Sequence, residues 1–461
     1  MKHKLRSLLH ILVFFNQNQL EWLCCGLPHY QVKMMASVPW SCYYYYNSAN
    51  PAQTTELTRL QVGPSPRPAN LVVSTLLEAE NITPLILEYQ REGRKCDLLF
   101  GFPLFSSATT RLAKIGQAIG LSNLSVMVDH VNQLQYVHEL TKQVSATGGS
   151  WPREKVNLYI KVDMGASRSG VILGTQTCTD LLEGLKGFMT LEACNFVGLY
   201  SHAGHSYSGN SRVEALTYLN KELVALLDML NSFDREDFLA SRNGLKQPFI
   251  LTVGATPTTT SIRNAVSSHD RTEAEIAAMG KLDDTFTAIR SADCKIEMHA
   301  GVYPVLDVQQ LATHALHEKQ LNWDSLALTI LTEVASLYPE REQPEALIVA
   351  GVLALARDPC KAYPGWGILS PWQCPGHSAV HGAPEEHKGW QVAKVSQEHG
   401  ILRWMGDSTK MEPLWIGQKL RIWPNHACIA GAGFEYYLVV DSRREGREDE
   451  IIDVWMRWNG W

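Results

Sequence analysis

Seven short β-rich runs alternate with longer helical patterns between residues 54 and 311, and this rhythm limits the fold more than any other feature of the chain. Strands are expected at residues 70–74, 97–101, 124–129, 156–163, 195–200, 248–253 and 294–299. Between them apolar residues recur at three- to four-residue spacing. In 211–231, for example, Leu216, Leu219, Leu223, Leu226, Leu227 and Leu230 share one helix face. Strand–helix repeats of this kind build a parallel sheet. Closing it as a (β/α)8 barrel takes eight strands, and the missing one has to precede residue 54. An open doubly wound sheet also fits seven strands. The barrel is preferred because polar and glycine-rich residues follow nearly every strand, where barrels place their sites.

Residues 1–53 do not share the rhythm. Cys24-Cys25, Met34-Met35 and four tyrosines from Tyr43 to Tyr46 fit neither a helical period nor strict alternation. The segment is expected to be atypical, either without ordered structure or a mis-assembled stretch of sequence, and the first barrel strand is expected to be lost with it. After about residue 310 the character changes again. Glycine, proline and tryptophan become frequent, and short alternating runs at 390–395, 417–422, 436–440 and 451–458 predict a smaller β domain. Residues 359–384 read as a long loop. The expected division is therefore 1–53, an α/β barrel over 54–311 and a C-terminal β domain over 312–461.

Charge and cysteine usage exclude several functions. The net charge of −6, with no dense Lys/Arg block, argues against a nucleic-acid partner. No apolar run approaches the roughly 18 residues of a membrane span. Lys2, Lys4 and Arg6 precede an apolar run at 8–15, as in a weak secretory signal, but Asn16-Gln17-Asn18-Gln19 follows where small cleavage-site residues belong. Ten scattered cysteines fit reduced thiols in the cytoplasm better than a disulfide framework. A hydrophobic fraction of 45% with 19% charged residues is ordinary for a soluble globular enzyme.

The strand ends carry the chemistry. Lys161-Val162-Asp163-Met164-Gly165 leads to Arg168, a fixed cation suited to a phenolate, carboxylate or phosphate, or else a surface arginine of a βα loop. Residues 200–207 hold Tyr200, His202, His205 and Tyr207, two imidazoles and two phenols around Gly204. Gly254-Ala255-Thr256-Pro257-Thr258 offers backbone N–H groups and hydroxyls to an anion, or is an ordinary turn. Gly301 and Val302 follow the seventh run in the same way, and two adjacent loops of this kind suit a phosphate. In the C-terminal domain His426 and Cys428 stand two apart beside a Gly/Ala patch. In an extended backbone they leave the same face and suit zinc with open coordination positions; otherwise they are a satisfied histidine and a buried thiol.

Together with Val72-Val73-Ser74-Thr75-Leu76 and Ser396-Gln397-Glu398-His399-Gly400, these stretches resemble the D-serine dehydratase / D-threonine aldolase family. Its members are pyridoxal 5'-phosphate enzymes of the alanine racemase-like fold, and the likeness runs from about residue 54 to 461. The His-x-Cys pair matches the eukaryotic dehydratase branch, in its fungal form, rather than the His-x-Asp aldolases. The resemblance implies that Tyr200 and Tyr207 contact the cofactor and that Thr256 with the Gly301 and Val302 backbone holds its phosphate. It further implies Arg168 near the pyridine ring and zinc on His426 and Cys428. The implied activity is β-elimination of water from D-serine, giving pyruvate and ammonia, and analogy with relatives of the fold implies a homodimer. One departure stands out. Thr55-Glu56-Leu57-Thr58-Arg59-Leu60-Gln61 matches the family, but residues 47–53 stand where its lysine-bearing run belongs, and Lys33 lies in an unmatched context. The catalytic residue is therefore left unassigned. Three readings stay open: a D-serine dehydratase lacking its lysine-bearing beginning, a non-catalytic protein that keeps zinc with or without pyridoxal phosphate, and a D-threonine aldolase-type or racemase enzyme or another barrel function.

Overall fold

The chain folds as two units, seen here in a computed structural model that describes residues 54–63, 68–145, 154–189, 194–239, 248–265, 271–371, 382–441 and most of 444–460. For 10–15 and 43–48 it describes the backbone. β1 is His10–Phe15, and the barrel strands follow as β2 (Tyr43–Ser48), β3 (Ala69–Val73), β4 (Cys96–Pro103), β5 (Leu124–Val128) and β6 (Val156–Lys161). β7 (Cys194–Tyr200), β8 (Phe249–Val253) and β9 (Cys294–Ala300) complete the set. All seven runs read from the sequence are strands, displaced by at most two residues at an end. β2 to β9 form a closed barrel of parallel strands.

The barrel reading thus stands, and the doubly wound sheet does not. The first position, expected to be lost, is taken by β2. Its backbone pairs in parallel with β9 from Tyr43↔Ile296 to Asn47↔Ala300, and with β3 from Tyr46↔Asn70 to Ser48↔Val72. Four tyrosines in a row hide the period on which strand recognition depends, and the two neighbouring edges supply the pairing that local pattern does not. The rest of 16–42, and 49–53, lies outside the described residues.

Local sequence explains the remaining elements of this unit. β3 and β5 are buried along their whole length, as strands covered on both faces must be. α1 (Leu76–Arg91) starts at a capping box: Thr75 Oγ1 accepts from Glu78 N at 3.1 Å, and Glu78 Oε2 accepts from Thr75 N at 3.0 Å. α2 (Arg212–Asn231) lies where the leucine face predicts, with Leu216, Leu219, Leu223, Leu226 and Leu230 buried. The exception on that face is Glu222, a fully buried carboxylate.

β7 bends at a register irregularity facing Tyr159, and there Gly198 lets β8 approach closely. A Cβ on Gly198 would overlap the backbone of Ile250. Because both partners are backbone, no rotamer change relieves the clash. Gly198→Ala is expected to destabilise the barrel by about 3 kcal/mol, seen as a lowered urea midpoint; an unchanged midpoint would show that the strands can part there at no cost.

The second unit comprises 302–459 together with β1 and the described residues 54–56. Its strands are β10 (Leu328–Tyr338), β11 (Glu345–Ile348), β12 (Gly367–Ser370), β13 (Trp390–Val395) and β14 (Gly400–Trp404), then β15 (Lys419–Pro424), β16 (Tyr436–Asp441) and β17 (Ile451–Met456). The sheet order is β11-β14-β13-β12-β15-β10-β1-β16-β17, and β11 also pairs with β10, so the first six strands close on themselves. Three features differ from the expectation. β12 lies inside the stretch read as a long loop, 372–381 of which is outside the described residues. The boundary between units falls after Gly301 rather than at 311. Finally, the run at 10–15 that resembles a weak signal pairs antiparallel with β10 and parallel with β16. Among the described residues no helix is long and apolar enough to cross a membrane.

Candidate functional site

The carboxyl ends of β6, β7, β8 and β9 bring together side chains up to 138 residues apart. β6 ends at Lys161, and the next loop is organised by Asp163. Its Oδ1 accepts from the backbone N–H of Gly165 and Ala166 at 2.8 Å and of Ser167 at 3.2 Å. Gly170, at φ 117°, donates its N–H to Asp129 Oδ2 at 3.0 Å, and Ser167 sits at φ 53°. This pinned turn displays Arg168, which is exposed as a loop arginine is, yet whose charge reaches Lys161, Tyr200, His202 and His299.

After β7 the chain presents a stack of rings. Tyr200 lies on His299 with centroids 4.5 Å apart and planes within 9°. His202 is parallel to the same imidazole at 5.6 Å, with His202 Nδ1 3.4 Å from His299 Nε2. Burial, reinforced by the Lys161 and Arg168 cations, lowers His299 to about 3, and burial with Arg168 holds His202 well below the usual histidine range. Burial raises Tyr200 above its ordinary value. All three rings are therefore neutral near pH 7. Among the described residues, His299 Nδ1 is buried without a hydrogen bond of full geometry, although the Gly254 backbone acts on this imidazole. The Lys161 amine lies 5.6 Å from the Tyr200 ring centroid, and burial, then the Arg168 charge, lowers it to about 8 against the pull of Asp129 and Asp163.

The structure divides the histidine–tyrosine cluster at 200–207. His202 joins the stack, whereas His205 packs edge-on against Tyr218 of α2 at 5.0 Å. Tyr207 is half-buried in the single turn Gly204–Ser208. Thr256 is buried at the start of α3 (Thr256–Ser261). Gly254 stands before it at φ 142°, where a Cβ would meet the His299 carbonyl and Thr259. Gly301 and Val302 follow β9 directly, and the Val302 side chain is buried.

Glu222 ties these loops together from behind. It accepts from Ser201 Oγ at 2.9 Å, from Gly254 N at 3.3 Å and from Thr258 Oγ1 at 3.3 Å. Burial raises its carboxyl to about 7 even though those donors, and the Ala203 N–H, pull it down. The sequence reading missed Glu222, Lys161 and His299 as functional groups. Only Glu222 left a local signal, a charge placed on an apolar helix face.

In the other unit, His426 and Cys428 do come together, but not as extended backbone. Residues Ala427–Ala432 form α4 with His426 as its N-cap, three of its six residues being alanine, which favours helix over strand. His426 and Cys428 still hydrogen-bond, and His426 Nδ1 lies 3.4 Å from Asp358 Oδ1. Burial lowers the His426 imidazole, but the contacts to Asp358 and Cys428 outweigh it and hold the group at about 11. The preceding Asn425 locks the turn by donating to the carbonyls of Asp358 at 2.9 Å and Gly365 at 2.8 Å. Asp307 Oδ2 accepts the Ala427 N–H at 2.9 Å. Among the described free cysteines, Cys428 is the one that is not fully buried. No group of three or more His, Cys, Asp or Glu side chains that could hold a metal ion occurs among the described residues.

The N-terminal domain family of alanine racemase matches residues 69–282, and a serine dehydratase domain family matches residues 327–440. D-serine dehydratase of Schizosaccharomyces pombe is 31% identical over 411 residues, covering 89% of this chain and 83% of that protein. D-serine dehydratase of Saccharomyces cerevisiae is 31% identical over 404 residues, covering 85% and 81%. The solved D-threo-3-hydroxyaspartate dehydratase from Delftia sp. HT23 superposes with a TM-score of 0.67 at 21% identity over 99% of both chains. On the strength of the two yeast relatives, matched along most of their length, the chain belongs to the D-serine dehydratase family, a family of lyases with the alanine racemase-like fold whose membership implies pyridoxal phosphate.

Proposed function

We propose that the chain dehydrates D-serine to pyruvate and ammonia, using pyridoxal phosphate at the barrel mouth and zinc at His426 and Cys428. The stacked Tyr200, His299 and His202 rings beside a buried amine carry this reading. They offer a flat, neutral, dry surface next to a cation, and the Nδ1 of His299, without a hydrogen bond of full geometry, leaves one buried polar atom for a ligand to satisfy. The donor set therefore fits an anionic aromatic aldehyde. Tyr200, Tyr207 and Arg168 would hold its ring, and Thr256 with the Gly301 and Val302 backbone its phosphate. An imidazole and a thiolate suit zinc, and a pair leaves positions open for a hydroxyl ligand. A cysteine-to-alanine variant of D-threo-3-hydroxyaspartate dehydratase has been solved in a metal-free form. When bound, the cofactor supplies an electron sink for the α-carbon and zinc a Lewis acid for the departing hydroxide.

The residues of the chain do the positioning. Arg168 holds negative charge at the mouth, the rings exclude water from one face, and Glu222 keeps the loops after β7 and β8 in register. Reduced cysteines, five of the six described ones buried, fit a cytoplasmic protein. The test is an assay of zinc-loaded protein with D-serine and with D-threonine. A 2-oxo acid from both is expected; glycine and acetaldehyde from D-threonine would replace this reading with an aldolase. A non-catalytic role is the second reading, favoured by one observation: no lysine stands between Lys33 and Lys95, so β2 carries none.

A further inference from the structure

The missing first-strand lysine prompts a search for another amine at the barrel mouth, and the structure holds one. Among the described residues the buried lysines are Lys155 and Lys161. Lys155 precedes β6, at the amino end of the strand, while Lys161 terminates it at the carboxyl end. The other described lysines of the barrel unit are not buried. Lys161 is 5% exposed, and its amine lies 5.6 Å from the ring of Tyr200, whose other neighbour in the stack is His299. Its backbone N–H and carbonyl are held by strand pairing with β7 and by the Val171 N–H at 2.9 Å, so the stem of the side chain is fixed.

We propose that Lys161 captures the aldehyde of pyridoxal phosphate, in the role that the first-strand lysine fills elsewhere in the family. This rests on the barrel mouth being the cofactor site proposed above. The Nζ lone pair adds to the aldehyde carbon, C=N replaces C=O, and the oxygen leaves as water with the two amine protons. Nothing is oxidised or reduced. A lysine desolvated beside a guanidinium is the kind of amine that reacts near neutral pH, because the free base is well populated. Burial and Arg168 both act in that direction on Lys161.

The full chain, purified without cofactor, is titrated with pyridoxal phosphate, and bound cofactor is measured by dialysis. The complex is then reduced with borohydride, digested, and the labelled peptide identified by mass. One cofactor per chain, fixed by reduction on the peptide containing Lys161, is the expected result. In Lys161→Arg, which keeps the cation and cannot form the imine, fixed label falls to background while dialysis still detects cofactor. Binding without a reducible adduct, or label on another lysine, overturns the assignment and leaves the cofactor site standing. No binding by the unaltered chain overturns both.

Discussion

Replacing Cys428 by alanine is expected to reduce zinc content to background and to slow D-serine dehydration roughly a thousandfold, about 4 kcal/mol of transition-state stabilisation. Pyridoxal phosphate binding is expected to persist, because Arg168, Tyr200, Tyr207, Thr256 and Gly301 lie in the barrel unit and Cys428 does not. The size of the effect follows from ligand number. On the proposed ligand pair two protein donors would hold the ion, so losing the thiolate would leave a single imidazole, too few donors to retain zinc against dilution. The helix itself is expected to survive, since alanine is the best helix former and Cys428 occupies its second position. Zinc measured by atomic spectroscopy, beside far-ultraviolet circular dichroism, separates ligand loss from unfolding. Zinc content equal to that of the unaltered protein would reject the ligand pair, whatever happens to the rate.

Glu222→Gln is expected to change how stability depends on pH. The carboxyl titrates at about 7 in the fold, raised from 4.5 by burial. Folding therefore takes up a proton between those values. The contribution is full below pH 4.5 and is lost as pH rises through 7, amounting to about 3 kcal/mol by pH 8. Glutamine fills the same volume and stays neutral, so it removes this slope. Urea unfolding of the two proteins from pH 4.5 to 8 is expected to show the unaltered chain losing about 3 kcal/mol relative to the variant. Parallel curves would mean that the four donors around Glu222 keep it ionised throughout. Loops after β7 and β8 both rest on this carboxylate, so the variant also reports on cofactor affinity.

Much of the barrel was legible in sequence because its signals are local. The buried β-rich runs, the Thr75–Glu78 cap and the leucine face of α2 each declare themselves within a few residues. The motif around Lys161, Asp163 and Arg168 was legible for the same reason: a carboxylate that accepts three successive N–H groups needs no distant partner. By contrast, Tyr43–Ser48 became a strand because β3 and β9 each presented an unpaired edge. The geometry of His426 and Cys428 also departed from the reading, since their small neighbours formed a helix. The pair survived because an N-cap and a second helical residue can meet as readily as two strand positions.

By itself, then, the amino-acid order determined the kinds of element, their sequence along the chain and the family motifs, all of which depend on neighbours close in the chain. Tertiary structure alone decided that Lys161, Tyr200 and His299 share one dry mouth and that Glu222 and His299 titrate far from their ordinary values. Strand closure brings distant residues together, and desolvation follows only from that closure, so neither can be read from spacing.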